Sequence, residues 1–466
     1  MSRSRNASLH GAIARCGKLL GMGAVASLLV LSAGHADKGG QPANNGDNNG
    51  GGNNGGNPGQ TRGEAGADRG LRLLTLAPIP AASNNSTGGA LYSFDISYVD
   101  PSTGNYFLAD RSNRVVDFVD SIGRYVTGIP ANPAFAGFTG SNATSGPNGV
   151  VAAFPWLFVT DANSRVVTID LRNNSTVSNA STGGAPGLRA DELAYDPTHG
   201  VLLVVNNADT PPFATFVIVN QSTGHLTVSA RITFDAAHGV DAQNGAEQPV
   251  WDGTLNRFFL TIPQIGSNVQ NGGVVRINPF SASVEATYPV QFCGPAGLTL
   301  GPNQNLFIGC NMVFDTNGNV WDPNGAVPAD PRDVIINANN GAILATVRGV
   351  GAGDEVWFNP GTGNYYATGS GSPERPLSGN GSTPAGVVDA SFGIVSQRFP
   401  TYNVAAVTTP TTGHPVHPAG TSHSIAASSI NNLVFVPLPA NNAVLSPDAT
   451  KNCLTGCVAV FKHGEE

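Results

Sequence analysis

From Tyr92 onward the chain repeats one pattern of polar and apolar positions. A polar or acidic residue is followed by a short alternating run, then a turn rich in Gly, Asn or Pro, then a nearly continuous apolar run. Seven copies are legible: FDISYVDPSTGNYFLAD from Phe94, PNGVVAAFPWLFVTD from Pro147, DELAYDPTHGVLLVV from Asp191, EQPVWDGTLNRFFLT from Glu247, AGLTLGPNQNLFIG from Ala296, DEVWFNPGTGNYYAT from Asp354 and HSIAASSINNLVFVP from His423. Most begin about 50 to 65 residues after the copy before, the length of a four-stranded blade. The pattern therefore predicts an all-β, seven-bladed β-propeller; merging two copies would give six blades, the alternative architecture.

The third copy shows the grammar. Asp191 to Tyr195 reads as an inner strand, and Val201 to Asn206, Thr215 to Val219 and Leu226 to Phe234 as the next three. Each is short, rich in β-branched residues and bounded by turn residues. No long stretch has the 3.6-residue apolar period of an amphipathic helix. The seventh copy reaches only a third strand, Cys457 to Lys462, before the chain stops. The run Leu71 to Leu76 has no other partner, so it is expected to supply the missing strand and close the ring.

Upstream of that run the pattern changes twice. Arg3, Arg5, Arg15 and Lys18 precede an apolar stretch from Leu19 to Ala33 that ends in small residues, which reads as a secretory signal over residues 1–36. A membrane anchor is the alternative; the short stretch, broken by Gly21 and Gly23, argues against it. Residues 37–70 are nearly pure Gly, Asn, Pro and Asp, too polar to offset backbone ordering, and read as a disordered leader. Residues 71–466 are then the propeller domain. A periplasmic or secreted monomer without an integral membrane segment after processing is expected.

Charge narrows the partners. With 23 Lys and Arg against 31 Asp and Glu, the formal net charge is −8, and no basic run interleaved with aromatics exists to track a phosphate backbone. No nucleic-acid partner is expected. Apart from Cys16 in the signal, four cysteines remain, which in an exported chain read as disulfides. Cys293 and Cys310 are symmetric about the Gly301-Pro302 turn, so the hairpin brings them opposite each other; Cys453 and Cys457 close a small loop.

Inner strands line a propeller's central channel, so one repeat position forms a ring of side chains. Stepping back five places from the residue that opens each inner turn (Asp100, Asp196, Asp252, Gly301, Asn359, Ser428) gives Asp95, Asp191, Glu247, Ala296, Asp354 and His423. Asn148 joins them if the second blade has a shorter turn. One residue further on stand Glu192, Gln248, Glu355 and Ser424. Carboxylates converging at one mouth repel and need a cation or proton to compensate them. Oxygen ligands with one imidazole suit Ca²⁺, Mg²⁺ or Mn²⁺, or Zn²⁺ if His423 and fewer carboxylates bind. The plainer alternative is that these residues cap strand ends and face a water-filled channel. His414 and His417, in the loop before the seventh copy, could reach the same mouth, although Pro415 and Pro418 preclude a helix that would fix their spacing. No GxSxG motif or phosphate-cradling loop is present.

On the copies DISYVDPSTGNYFLADRSNRVVDFVD, DELAYDPTHGVLLVVNNADTPPFATF, EQPVWD, DEVWFNPGTGNYY and SHSIAA, the chain resembles exported bacterial propellers of the YVTN and gluconolactonase-like type. That resemblance implies a central divalent cation, held by acidic and Asn side chains, that polarises a lactone carbonyl and activates water. By position and type the matching residues are Glu192, Glu247, Asp354 or Glu355, and Asn148; His423 departs from the all-oxygen pattern. The leading expectation is a metal-dependent hydrolase of lactone or ester type acting on a small-molecule substrate, with Asp191 and His423 as further ligands and Glu192, Glu355 or Asp354 handling the proton. Asp95, Gln248, His414 and His417 would bind substrate. The other expectation is a non-enzymatic extracytoplasmic binding or scaffold protein with an unknown surface ligand.

Overall fold

The structure is a computed structural model that describes residues 70–320, 332–351, 354–368, 383–401, 424–441 and 446–464, with 407–408, 415–417 and 444. The signal and the leader lie outside the described residues, as do His414 and His423.

Seven antiparallel four-stranded sheets follow one another along the chain. Blades 1 to 6 each use four consecutive strands, beginning with Ser97–Val99, Val150–Ala153, Leu193–Asp196, Pro249–Asp252, Cys293–Leu300 and Val356–Asn359. Blade 7 is built from both ends. Its inner strand is Ala426–Ala427, followed by Val434–Leu438, Cys457–His463 and, outermost, Leu71–Pro78. The expected closure is therefore observed, with Leu71 opposite His463 and Pro78 opposite Cys457. Leu71 and Leu76 on this strand are buried, each contributing about 1.5 to 3 kcal/mol through removal from water.

Seven apolar clusters hold the ring, one at each junction between neighbouring blades. The cluster that joins blades 7 and 1 contains Val99, Tyr106 and Leu108 with Ala426, Phe435 and Val458. That joining blades 6 and 7 contains Tyr366 and Val387 with Leu76, Val436 and Phe461. The remaining five follow the same rule. Seven junctions close on themselves, which excludes the six-bladed alternative.

This packing explains the sequence pattern. Second strands such as Tyr106–Asp110, Trp156–Asp161 and Val201–Asn206 are buried at every position, because a blade covers each face, so they read as continuous apolar runs. Outer strands such as Ser283–Gln291 alternate between covered and exposed faces and read as alternation. The inner turns also follow their sequence. Asp100, Asp196, Asp252 and Asn359 each accept, through Oδ1, the amide two residues on, at 2.8 to 3.0 Å. This side-chain turn reverses the chain. Gly200 (φ 66°) then takes up the left-handed conformation that completes the hairpin of blade 3.

Both expected disulfides form: Cys293–Cys310 and Cys453–Cys457. The register of the first differs from expectation. Cys293 lies opposite Val313 and Cys310 opposite Pro295, because the turn is a 3₁₀ segment at Pro302–Gln304 and its centre sits later than Gly301-Pro302. Register shifts on either side of Pro295, which has no amide hydrogen for the ladder, let the two thiols meet with Cα atoms 5.2 Å apart. Among the described residues no helix is long and apolar enough to cross a membrane.

Candidate functional site

In blades 1, 3 and 4 the ring residue that precedes the inner strand is placed by the same backbone bond. The amides of Asp95, Asp191 and Glu247 donate to Ala109, Val205 and Thr261 on the second strands of their blades, in each case fourteen residues on. Asn148 donates to Thr160, twelve residues on, because the hairpin of blade 2 turns through only Phe154 and Pro155. The shorter turn required for Asn148 to join the ring is thus present. Neighbouring blades are also stitched at this level: Ile96 donates to Asn148, Gly149 to Asp191 and Gln248 to Ala296.

Two arginines that the repeat pattern did not single out stand among these carboxylates. Arg111, 2% exposed, donates to Asn148 Oδ1 from Nε (3.0 Å) and Nη2 (2.8 Å), to Asn142 Oδ1 from Nη1 (3.2 Å), and forms an ion pair with Asp95. Arg189 pairs with Asp191 at 2.6 Å and reaches Asp95 at 3.4 Å. Its Nε donates to Asn207 Oδ1 (3.3 Å), and the Asn207 amide reaches Glu247 Oε1 at 3.5 Å. Charge at this mouth is therefore compensated in large part from within the chain. Arg189 lies in the connection before the strand Leu193–Asp196, where no repeat position marks it. Arg111 follows the second strand of blade 1, and only the hairpin register carries it back to the level of Asp95.

The carboxyls outnumber the two guanidiniums, and the excess shows in their proton affinities. Burial raises Asp191 to about 7, against the pull of Arg189. Glu247 is raised well above the carboxylate range, first by burial and then by Asp191 and Asp354. Glu192 is raised in the same way, by burial and then by the charges of Asp191, Asp354, Glu247 and Asp95. Arg111 is lowered, because burial outweighs the attraction of Asp95.

The ring opens onto a central cavity of about 400 Å³ lined by inner-strand residues of blades 1 to 6. That volume suits a small organic ligand. Glu192 and Glu355 supply its two carboxyls; both are buried. Glu355 Oε2 accepts from the Ser97 amide (3.3 Å), Ser97 Oγ (3.2 Å), the Ile425 amide (3.1 Å) and Ser424 Oγ. Its Oε1 has no hydrogen-bond partner. Burial raises Glu355 to about 8. Three to four residues beyond the ring, about 10 to 13 Å along the strands, the wall becomes aromatic with Tyr98, Tyr195, Trp251, Trp357 and Phe358, all part-exposed. Tyr98 and Trp357 meet edge to face at 5.1 Å.

The structure thus brings Asp95, Asn148, Asp191, Glu247 and Asp354 to one mouth, with Glu192 just inside it. Asp354 and Glu355, adjacent in sequence, separate: Asp354 acts electrostatically on Asp191, Glu192 and Glu247, whereas Glu355 is anchored at the junction of blades 7 and 1. Gln248 is committed to the backbone, its Oε1 accepting the Leu298 amide at 2.6 Å. His417 ends the short strand Pro415–His417, paired with Val407–Thr408. Among the described residues no three His, Cys, Asp or Glu side chains are grouped so that they could hold a metal ion. Two of the residues expected to hold a divalent cation are engaged by guanidinium groups, Asp191 by Arg189 and Asn148 Oδ1 by Arg111.

No family model matches the chain, and no curated protein matches it. Solved structures do. A chain of Kuenenia stuttgartiensis hydrazine synthase superposes with a TM-score of 0.52 at 12% identity, over 76% of this chain and 95% of that one. A chain of a mitotic checkpoint complex superposes with a TM-score of 0.50 at 12% identity, over 84% and 94%. At such identity the likeness is one of fold, and what this chain shares with them is the β-propeller.

Proposed function

We propose that this protein is a ligand-binding propeller of an extracytoplasmic space, which takes a small molecule into its central cavity without turning it over. The observation that carries this reading is the Glu355 carboxyl, fully buried at the wall of a 400 Å³ cavity with Oε1 unpartnered. A buried polar oxygen left without a hydrogen-bond partner costs roughly 1 to 3 kcal/mol, a cost that a bound ligand would recover. Export is supported by the two disulfides, which persist in oxidising compartments. The arginines at the mouth favour binding over metal-assisted hydrolysis, because they meet the charge for which an external ion was invoked.

The test pairs two measurements on purified protein. A thermal-shift panel of small amines, alcohols, acids and divalent salts is expected to show stabilisation by at least one organic class, abolished or reversed by Glu355→Gln. A lactone and ester panel, run with and without divalent salts, is expected to show no turnover above buffer. Bound metal at one equivalent together with metal-dependent lactone hydrolysis would overturn the binding reading and restore the hydrolase.

A further inference from the structure

Resting on that binding reading, we propose that the ligand of the central cavity is an organic cation, an ammonium group carrying an apolar body, with its charge against Glu355 and Glu192 and its body on the aromatic wall.

Three features of the cavity converge on this chemistry. First, among the described residues the acidic side chains that line it are Glu192 in blade 3 and Glu355 in blade 6; the other titratable side chains there are Tyr98 and Tyr195, and no Lys, Arg or His lines it. The groups that touch Glu355 Oε2 are neutral donors, so no counter-charge meets this carboxyl from Ser97, Ser424 or Ile425. Second, Oε1 has no hydrogen-bond partner, and because Oε2 accepts from four donors, Oε1 is the oxygen that carries the proton. Third, the far wall offers the faces and edges of Tyr98, Tyr195, Trp251 and Trp357, which attract a desolvated cation through the ring quadrupole. The rest of the lining sets apolar side chains, including Val150, Leu193, Val250 and Leu298, beside Ser97, Gln248 and Thr299. Such a wall suits the methylenes or methyls around an ammonium nitrogen. It does not suit a hydrated Ca²⁺ or Mg²⁺, which needs six or more oxygens at close range.

Proton balance follows from the same geometry. Among the described residues the titratable groups around Glu355 are Tyr106, which feels its charge, Asp354 beside it in the chain, and Glu192, Tyr98 and Tyr195 in the same cavity. Burial holds Glu355 mostly protonated near pH 7. A cation that carries no titratable proton would displace that proton on binding, whereas a neutral ligand would leave it in place.

The experiment uses choline and its uncharged isostere 3,3-dimethylbutan-1-ol, which share shape and differ in charge, titrated calorimetrically into the protein at pH 7 in buffers of different ionisation enthalpy. Choline is expected to bind at least tenfold more tightly than the alcohol and to release protons. Glu355→Gln should erase both the preference and the release. If Glu355→Gln fails to fold, as its contacts to Ser97 and Ser424 could cause, Glu192→Gln should still reduce the preference several-fold. Trp357→Leu should weaken choline more than the alcohol. Equal affinity for both probes, or binding without proton release, would overturn the cation while leaving the cavity a ligand site. Binding of neither probe, with other ligands stabilising the protein in the panel above, would overturn the cation alone.

Discussion

Replacing Arg111 by methionine tests whether the chain compensates its own ring of acids. The guanidinium makes two buried bonds to Asn148, a buried ion pair with Asp95 and a part-buried bond to the exposed Asn142. Removing one partner of a buried pair costs about 3 to 5 kcal/mol, because the other charge is left desolvated. Protonation sets a ceiling on the electrostatic part. A carboxyl with an ordinary pKa near 4 can be neutralised at pH 7.5 for about 5 kcal/mol, but at pH 5 for only about 1.5 kcal/mol. In the variant Asp95 keeps Arg189 at 3.4 Å but loses its nearer counter-charge, so it binds its proton more tightly folded than unfolded. The penalty is therefore absent below the unfolded pKa and grows as pH rises toward the folded one. Urea unfolding is expected to show Arg111→Met destabilised by about 3 to 5 kcal/mol at pH 7.5 and by less than half of that at pH 5. Asp95→Asn in the same chain should recover most of the loss, giving a coupling energy of at least about 1.5 kcal/mol in a double-mutant cycle. A loss below about 1 kcal/mol, or one that is independent of pH and of Asp95→Asn, would show that the pair is not what neutralises the ring.

Two further outcomes follow from the fold. Asp110 and Asp117 are both buried within blade 1, where Asp117 lies against Asp110 and Tyr125 and shares a proton with Asp110; burial raises Asp110 to about 6, and burial with the charge of Asp110 raises Asp117 well above its usual value. Groups raised on folding leave stability intact below their unfolded pKa and erode it as pH rises through the folded value. Asp117→Asn is thus expected to raise the urea midpoint at pH 8 while changing it little at pH 4, and an equal effect at both would refute the shared proton. Replacing Cys293 and Cys310 together by serine opens a loop of 17 residues, with an expected loss of about 3 kcal/mol. Calorimetric melting of the variant against the wild type with and without reductant checks this, and coincident melting curves would refute it.

The linear chain was enough to establish the architecture, because a repeat fold writes the same local physics many times. A second strand covered on both faces must be apolar throughout, and an Asx turn must carry Asp or Asn. Thus strands such as Val201–Asn206, and the pairing of Leu71–Pro78 with Cys457–His463, were legible before any contact was known. The ring positions Asp95, Asn148, Asp191, Glu247 and Asp354 were legible for the same reason: register is local. What neutralises them was not. Arg111 arrives from the end of a different strand and Arg189 from the connection before blade 3, and a guanidinium's reach depends on packing across blades. The parting of Asp354 from Glu355 likewise needed the tertiary structure. The two residues lead into the strand Val356–Asn359, and which of them acts on the ring of acids and which is held at the junction of blades 7 and 1 is decided only when the blades close into a ring.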